Sequence, residues 1–218
     1  RSKKNIKFIF PNKCPSCGSK TVKEFNKVTK KNDSVRRCSS EGYYCDKISI
    51  EKLKHFVSKD AFNIDGLGKK IIEGFWKLKL IKFPQDIFKL DYQKIEKLEG
   101  WGSLSVENLK FSINQKKNIS LERFIFALGI RHIGLENAKL LSKHFLSFLK
   151  FKNLSVSENY DDLLNIDGIG ETQVSSIKSF FANEINLKVL DELGKILVIK
   201  NVIAKQQNGL LKSKSFLV

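Results

Sequence analysis

The chain has no methionine and only three histidines in 218 residues. Lacking a starting methionine, it is expected to be a piece cut from a longer protein. His55, His132 and His144 have no obvious nucleophile partner in the pattern around them. No apolar run approaches the roughly 20 residues that a membrane-spanning helix needs. Arg1-Ser2-Lys3-Lys4 leads only into Ile6 to Phe10, a lysine-containing stretch too short for a secretory signal. A Walker-type phosphate loop is missing, as is a Lys-x-Asp-Gly nucleotidyltransferase motif, and the scattered acids form no convincing metal-binding pair. The segment is therefore not expected to carry out catalysis by itself.

Negative charge is scarce. There are 40 Lys and Arg against 23 Asp and Glu, a net charge of +17. The lysines are spread through otherwise structured segments, as on a surface that meets a polyanion; generic solubility charge is the alternative. With 41% hydrophobic residues and 17 Phe the chain can build real cores, in one large or two to three small domains.

Cysteine is confined to one short module: Cys14-Pro15-Ser16-Cys17-Gly18, then Cys38 and Cys45. Without a secretory signal, disulfides are disfavoured. Cys-x-x-Cys makes a tight knuckle and a second pair closes a tetrahedron, so a structural four-thiolate zinc site fits better. Four protein thiolates leave no open position for a catalytic water. A pair of free or redox-active thiols is the other reading. Residues 1 to about 48 have strand-like character, with Ile6 to Phe10 β-prone and ended by Pro11. His55, close by, reads as a surface or packing residue.

From Ser49 onward the spacing turns helical, with Leu53, Phe56 and Val57 on one side. Then a short phrase begins to repeat. Asn63-Ile64-Asp65-Gly66-Leu67-Gly68 and Asn165-Ile166-Asp167-Gly168-Ile169-Gly170 are nearly identical, and each runs into an amphipathic segment. Glu99-Gly100-Trp101-Gly102 repeats the pattern with Trp as its apolar member. Arg131-His132-Ile133-Gly134 repeats it with His132 in place of the first glycine. The closing glycines fall about 34 residues apart, a period of stacked helical units. Pro84 is expected to open a further short helix, with Ile87, Phe88 and Leu90 inward, and one helix is expected to hold Ala138, Leu141, Phe145 and Phe148. After Lys195 the periodicity fades, and Lys200 to Lys214 reads as a linker. A tetratricopeptide-like repeat has a similar period, but it places bulky residues and prolines at set positions instead of closing glycines.

Such a hairpin grips DNA without reading it. Free amides at the turn and at the following helix N-terminus donate to phosphate oxygens, and the helix dipole assists. The residues for this role are Gly66 and Gly68, Gly100 and Gly102, Gly134, and Gly168 and Gly170, with Lys69, Lys70 and Arg131 adding ionic contacts. Leu67, Trp101, Ile133 and Ile169 should turn inward as anchors. Sequence-independent binding along the duplex minor groove follows.

In this order the parts resemble the C-terminal half of bacterial NAD⁺-dependent DNA ligase. The resemblance rests on Phe10-Pro11-x-x-Cys14-Pro15-x-Cys17-Gly18-Ser19, Leu53-Lys54-His55-Phe56-Val57-Ser58, Asp65-Gly66-Leu67-Gly68 and Ala127-Leu128-Gly129-Ile130-Arg131, and covers nearly the whole chain. It implies a mainly α fold: four tandem helix–hairpin–helix motifs preceded by a small four-cysteine zinc-binding β module. The implied divisions are 1–60, the module and a connecting helix; 61–195, the hairpin domain; and 196–218, a linker and the start of a BRCT-like domain at Leu210 to Val218. The zinc ligands would be Cys14, Cys17, Cys38 and Cys45. The parent protein would seal nicked duplex DNA in replication and repair, in the bacterial cytoplasm at the nucleoid. NAD⁺ and Mg²⁺ would be bound by the parent enzyme and not by this monomeric segment. Competing readings are a non-catalytic helix–hairpin–helix scaffold of a repair or recombination complex, a topoisomerase tail, and a protein-interaction solenoid.

Overall fold

The computed structural model describes residues 9–26, 30–40, 42–157 and 159–203. Part of the β-prone stretch at Ile6 to Phe10, and the proposed BRCT opening at Leu210 to Val218, lie outside these residues; Ile9 and Phe10 are exposed and in no strand. The N-terminal region is a small antiparallel ribbon. β1 (Thr21–Val22) pairs with β4 (Arg37–Cys38), and β2 (Phe25–Asn26) pairs with β3 (Lys31–Asn32). Strands of two residues bury little, so this ribbon needs cross-links of another kind to hold its shape.

Everything after it is mainly helical. α1 (Asp46–Phe56) and α2 (Lys69–Lys77) pack together, and Lys54 links them by pairing with Glu51 at 2.8 Å and Glu73 at 2.6 Å. Pro84–Lys89 is a 3-10 turn that buries Ile87 and Phe88; its ring-fixed φ suits the first position of such a turn. α3 (Tyr92–Glu96) and α4 (Ser103–Gln115) follow, then β5 (Asn118–Ser120), α5 (Leu121–Ala127) and α6 (Leu135–Phe145). α7 (Phe148–Ser157), a 3-10 turn at Asp161–Asn165, α8 (Glu171–Phe181) and α9 (Glu184–Ile196) complete the helical body.

Two sequence expectations change. Phe148 does not share a helix with Ala138, Leu141 and Phe145: Leu146 takes φ +62° and ends α6, and Phe148 starts α7. The chain also does not leave the body after Lys195. β6 (Val198–Lys200) pairs in parallel with β5, in register Ile119 to Ile199, and Val202 N–H donates to the Leu146 carbonyl at 2.7 Å.

The core is one connected cluster rich in phenylalanine. Phe56 stacks on Phe62 with ring centroids 4.2 Å apart, and both meet Phe88 edge-on. Further along, Phe145, Phe151, Phe181 and Phe180 form a continuous edge-to-face chain. Aromatic pairs of this geometry add to what burial alone gives. Phe56 is 1% exposed, and Phe56→Ala is expected to lower stability by about 3–5 kcal/mol, read as a lower denaturant midpoint at unchanged slope.

Candidate nucleic-acid interface and metal centre

One turn geometry recurs in four places. Its first key residue takes a left-handed backbone: Gly66 at φ +85°, Gly100 at +82°, His132 at +59° and Gly168 at +90°. The next residue is apolar and turns inward. Leu67, Ile133 and Ile169 are buried, and half-buried Trp101 packs against Phe75 at 5.5 Å. Its amide closes the turn onto the residue three back: Leu67 to Ile64, Trp101 to Leu98, Ile133 to Ile130 and Ile169 to Ile166, all at 2.9–3.3 Å. A glycine then opens the helix. His132 thus holds the conformation a glycine would otherwise supply, at a strain of roughly 1–2 kcal/mol.

The closing glycines differ from the first ones in a way that bears on function. Gly68, Gly102, Gly134 and Gly170 have φ of −66°, −104°, −83° and −108°, extended backbone open to any residue. A Cβ built on Gly68, Gly102 or Gly134 would meet nothing within 4 Å. Folding does not require glycine there. Nor is glycine the best cap, since Ser, Thr, Asp or Asn would satisfy the helix's first amides. This chain uses such caps elsewhere: Asp91 accepts from Lys94 at the start of α3, and Asn183 accepts from Ile185 and Asn186 at the start of α9. After the four turns the capping residue is a glycine with no side chain to do so; the leading N–H groups of α2, α4 and α6 have no intrahelical acceptor, and the residues that carry them are exposed. The fourth turn departs from this, because Gln173 Oε1 accepts from Gly170 N–H at 3.2 Å.

The turns associate in pairs. Gly66 sits against Leu109 of α4, and Gly168 against Leu140 of α6, so the first turn backs onto the helix of the second and the fourth onto the helix of the third. A groove of about 550 Å³ lies between the first two turns, lined by Asp65, Gly66, Glu99, Gly100 and Trp101 among others. Lys69 and Lys70 are exposed at the start of α2. Arg131 is partly exposed and ion-paired with Glu24 of the N-terminal ribbon. Burial, then the charges of Arg131 and Arg37, hold His132 below the ordinary histidine range.

The four cysteines meet at the foot of α1. All four Sγ atoms lie within 4.8 Å of one another, with Cys14 to Cys45 at 4.0 Å and Cys17 to Cys38 at 3.4 Å. These separations are too long for disulfides. They match a tetrahedral thiolate cage, whose sulfurs stand about 3.8 Å apart around a zinc-sized ion. The knuckle is tied by Gly18 N–H to the Cys14 carbonyl at 2.8 Å, with Gly18 at φ +73°. Ser40 N–H points at Cys38 Sγ at 3.4 Å, and buried Ser49 donates its hydroxyl to the Cys45 carbonyl at 3.0 Å. Ser19, by its hydroxyl and its amide, draws the Cys17 thiol down from 9.0 to about 6, whereas loss of solvent pushes Cys38 up to about 12. Thiols this close resist ionising together, and a divalent cation removes that conflict. The donor set fits a metal.

His55 turns out to be a joint, not a ligand. Its Nε2–H donates to the Phe126 carbonyl at 2.8 Å and its ring packs edge-on to Phe126. Arg123 reaches the other way, to the carbonyls of Ala61 at 2.8 Å and Lys59 at 2.6 Å. Together they seat α1 on the third turn beside an apolar cleft of about 410 Å³. Sequence reasoning missed Glu24, Arg123 and Gln173. Gln173 had a signal, standing three residues into its helix where capping glutamines occur; the long-range partners had none.

Residues 123–190, spanning the third and fourth turns, match the "Helix-hairpin-helix motif" family. Over all 218 residues the chain is 65% identical to the DNA ligase of Pelagibacter ubique (strain HTCC1062). It is 43% identical to the DNA ligases of Parvibaculum lavamentivorans and Wolbachia pipientis wMel, across 93% and 95% of its length. The chain is homologous throughout to one segment of DNA ligase, and it spans 32%, 30% and 31% of those three relatives. Among the described residues no helix is long and apolar enough to cross a membrane.

The two classes of glycine should separate in stability measurements. Gly66→Ala, at φ +85°, is expected to cost about 1–2 kcal/mol, while Gly68→Ala should stay within about 0.5 kcal/mol of the parent. Equal losses in thermal unfolding would contradict the distinction.

Proposed function

We propose that this chain is the DNA-gripping segment of an NAD⁺-dependent DNA ligase, with the four turns acting as four helix–hairpin–helix motifs. They hold a nicked duplex across its minor groove by phosphate contacts and do not read sequence. Gly66, Gly68, Gly100, Gly102, Gly134, Gly168 and Gly170 present the amides, and Lys69, Lys70 and Arg131 add charge. Nucleotidyl transfer from NAD⁺, with its Mg²⁺, belongs to a part of the parent enzyme outside this segment. The segment works as a monomer in the bacterial cytoplasm, at the nucleoid.

The observation that carries the reading is the closing glycine. Gly68, Gly102 and Gly134 have ordinary φ and open space where a Cβ would be. A residue type that the fold does not demand is explained by a second molecule's backbone approaching the amides beside it. The net charge of +17 suits a phosphate polymer as that molecule.

The four thiolates are proposed to hold structural zinc, which would cross-link a ribbon too small to fold by burial. One zinc ion per purified chain is expected by elemental analysis, and Cys17→Ser should lose most of it. For DNA, log K against log salt should fall with a slope of roughly −4 to −7 if ~4 to 8 phosphates are neutralised. Gly68→Ala and Gly102→Ala together should weaken binding about tenfold with an unchanged melting temperature. A folded double variant that binds as well as its parent would refute the phosphate role. Ligation or NAD⁺ consumption by the segment alone would overturn the division of labour.

A further inference from the structure

The third turn carries a charge arrangement unlike the others. Just before the left-handed residue the first, second and fourth turns have an acid, namely Asp65, Glu99 and Asp167, whereas the third has Arg131. That arginine is met by an acid from a distant part of the chain. Glu24, which directly precedes β2 in the four-cysteine module, sets one carboxylate oxygen on Arg131 Nη1 and places the other 3.9 Å from His132 Nε2. His132 is held below its usual range by burial, then by Arg131 and Arg37, and Arg131 is the cation of this turn that Glu24 meets directly.

We propose that Glu24 is an electrostatic gate on the third turn: its carboxylate sits on Arg131 where a DNA phosphate would sit, and DNA gains that contact only by displacing it. This rests on the reading of the turns as phosphate-binding hairpins. Both partners are partly exposed, at 41% and 38%. An ion pair so open to water is weak and exchangeable, and a phosphate offers the guanidinium the same two-oxygen geometry as a carboxylate. The gate is separable from the fold. The helix that leads out of the module, α1, whose N-cap is Cys45, is held against α5 independently, by His55 on Phe126 and Arg123 on Ala61 and Lys59, so removing the Glu24 charge leaves those joints in place. A module whose own strands are only two residues long would thereby set the DNA affinity of a helical body.

The test is a binding titration of a labelled nicked duplex between 50 and 200 mM salt. It compares the parent chain with Glu24→Gln, Arg131→Ala, the double variant, and Glu184→Gln, a matched charge change at the start of α9. Glu24→Gln is expected to bind about threefold tighter at the low-salt end, with a slope steeper by about 0.9, the signature of one more phosphate contact. Glu184→Gln should leave the slope unchanged, and the gain from Glu24→Gln should vanish when Arg131 is alanine. Equal behaviour of Glu24→Gln and Glu184→Gln overturns the gate. So does weaker binding by a folded, metal-loaded Glu24→Gln, or a gain that survives without Arg131. If the parent chain shows no salt-dependent DNA binding, the hairpin reading fails, and the gate falls with it.

Discussion

A buried apolar side chain, fixed between a left-handed residue and an extended glycine, is the constraint on which the rest depends. Leu67, Ile133 and Ile169 are each driven into the core by burial, and their amides lock the turn onto the residue three back. With the anchor inside, the residues on either side lie at the surface, and the first residues of the following helix are exposed. Core packing and surface chemistry are thus two consequences of the same residue. Trp101 performs the anchor role less completely and is steadied by Phe75.

That arrangement recurs in two couples, each with a first glycine pressed against the partner's helix. The couples share one phenylalanine-rich core, and the parallel pairing of β5 with β6 ties the end of the helical body to its middle. Rigid spacing between turns follows from packing and needs no contact between the turns themselves. The four-cysteine ribbon is built in another way: its strands are two residues long, its four cysteines meet at the start of α1, and Glu24 reaches Arg131 of the third turn.

Much of this was legible in the residues. The period of the closing glycines, the inward anchors and the cysteine cluster are local patterns, and local patterns survive without knowledge of the fold. Where the chain surprised, the cause was long-range or conformational. Leu146 breaks a helix that hydrophobic spacing would have continued through Phe148, because periodicity does not register a single left-handed residue. Val198–Lys200 looked like the start of a linker, since three residues of strand have no signal apart from their distant partner. The contacts of Glu24, His55 and Arg123 cross from one unit to another, and nothing at either end announces them. His132 is an intermediate case: its place in the repeat was visible, and its left-handed backbone shows that the geometry, not the glycine, is what the turn preserves.

The central claim is that DNA phosphates meet the amides opened by the closing glycines. Amide-resolved magnetic resonance of the labelled chain during titration with a short nicked duplex tests it most directly. The account predicts that the amides of Gly68 to Lys70, Gly102 to Leu104 and Gly134 to Glu136 shift together and saturate with one affinity, while Gly170, whose N–H is already held by Gln173, shifts less. Shifts confined to lysine-rich helix faces, with those amides unmoved at saturation, would contradict it.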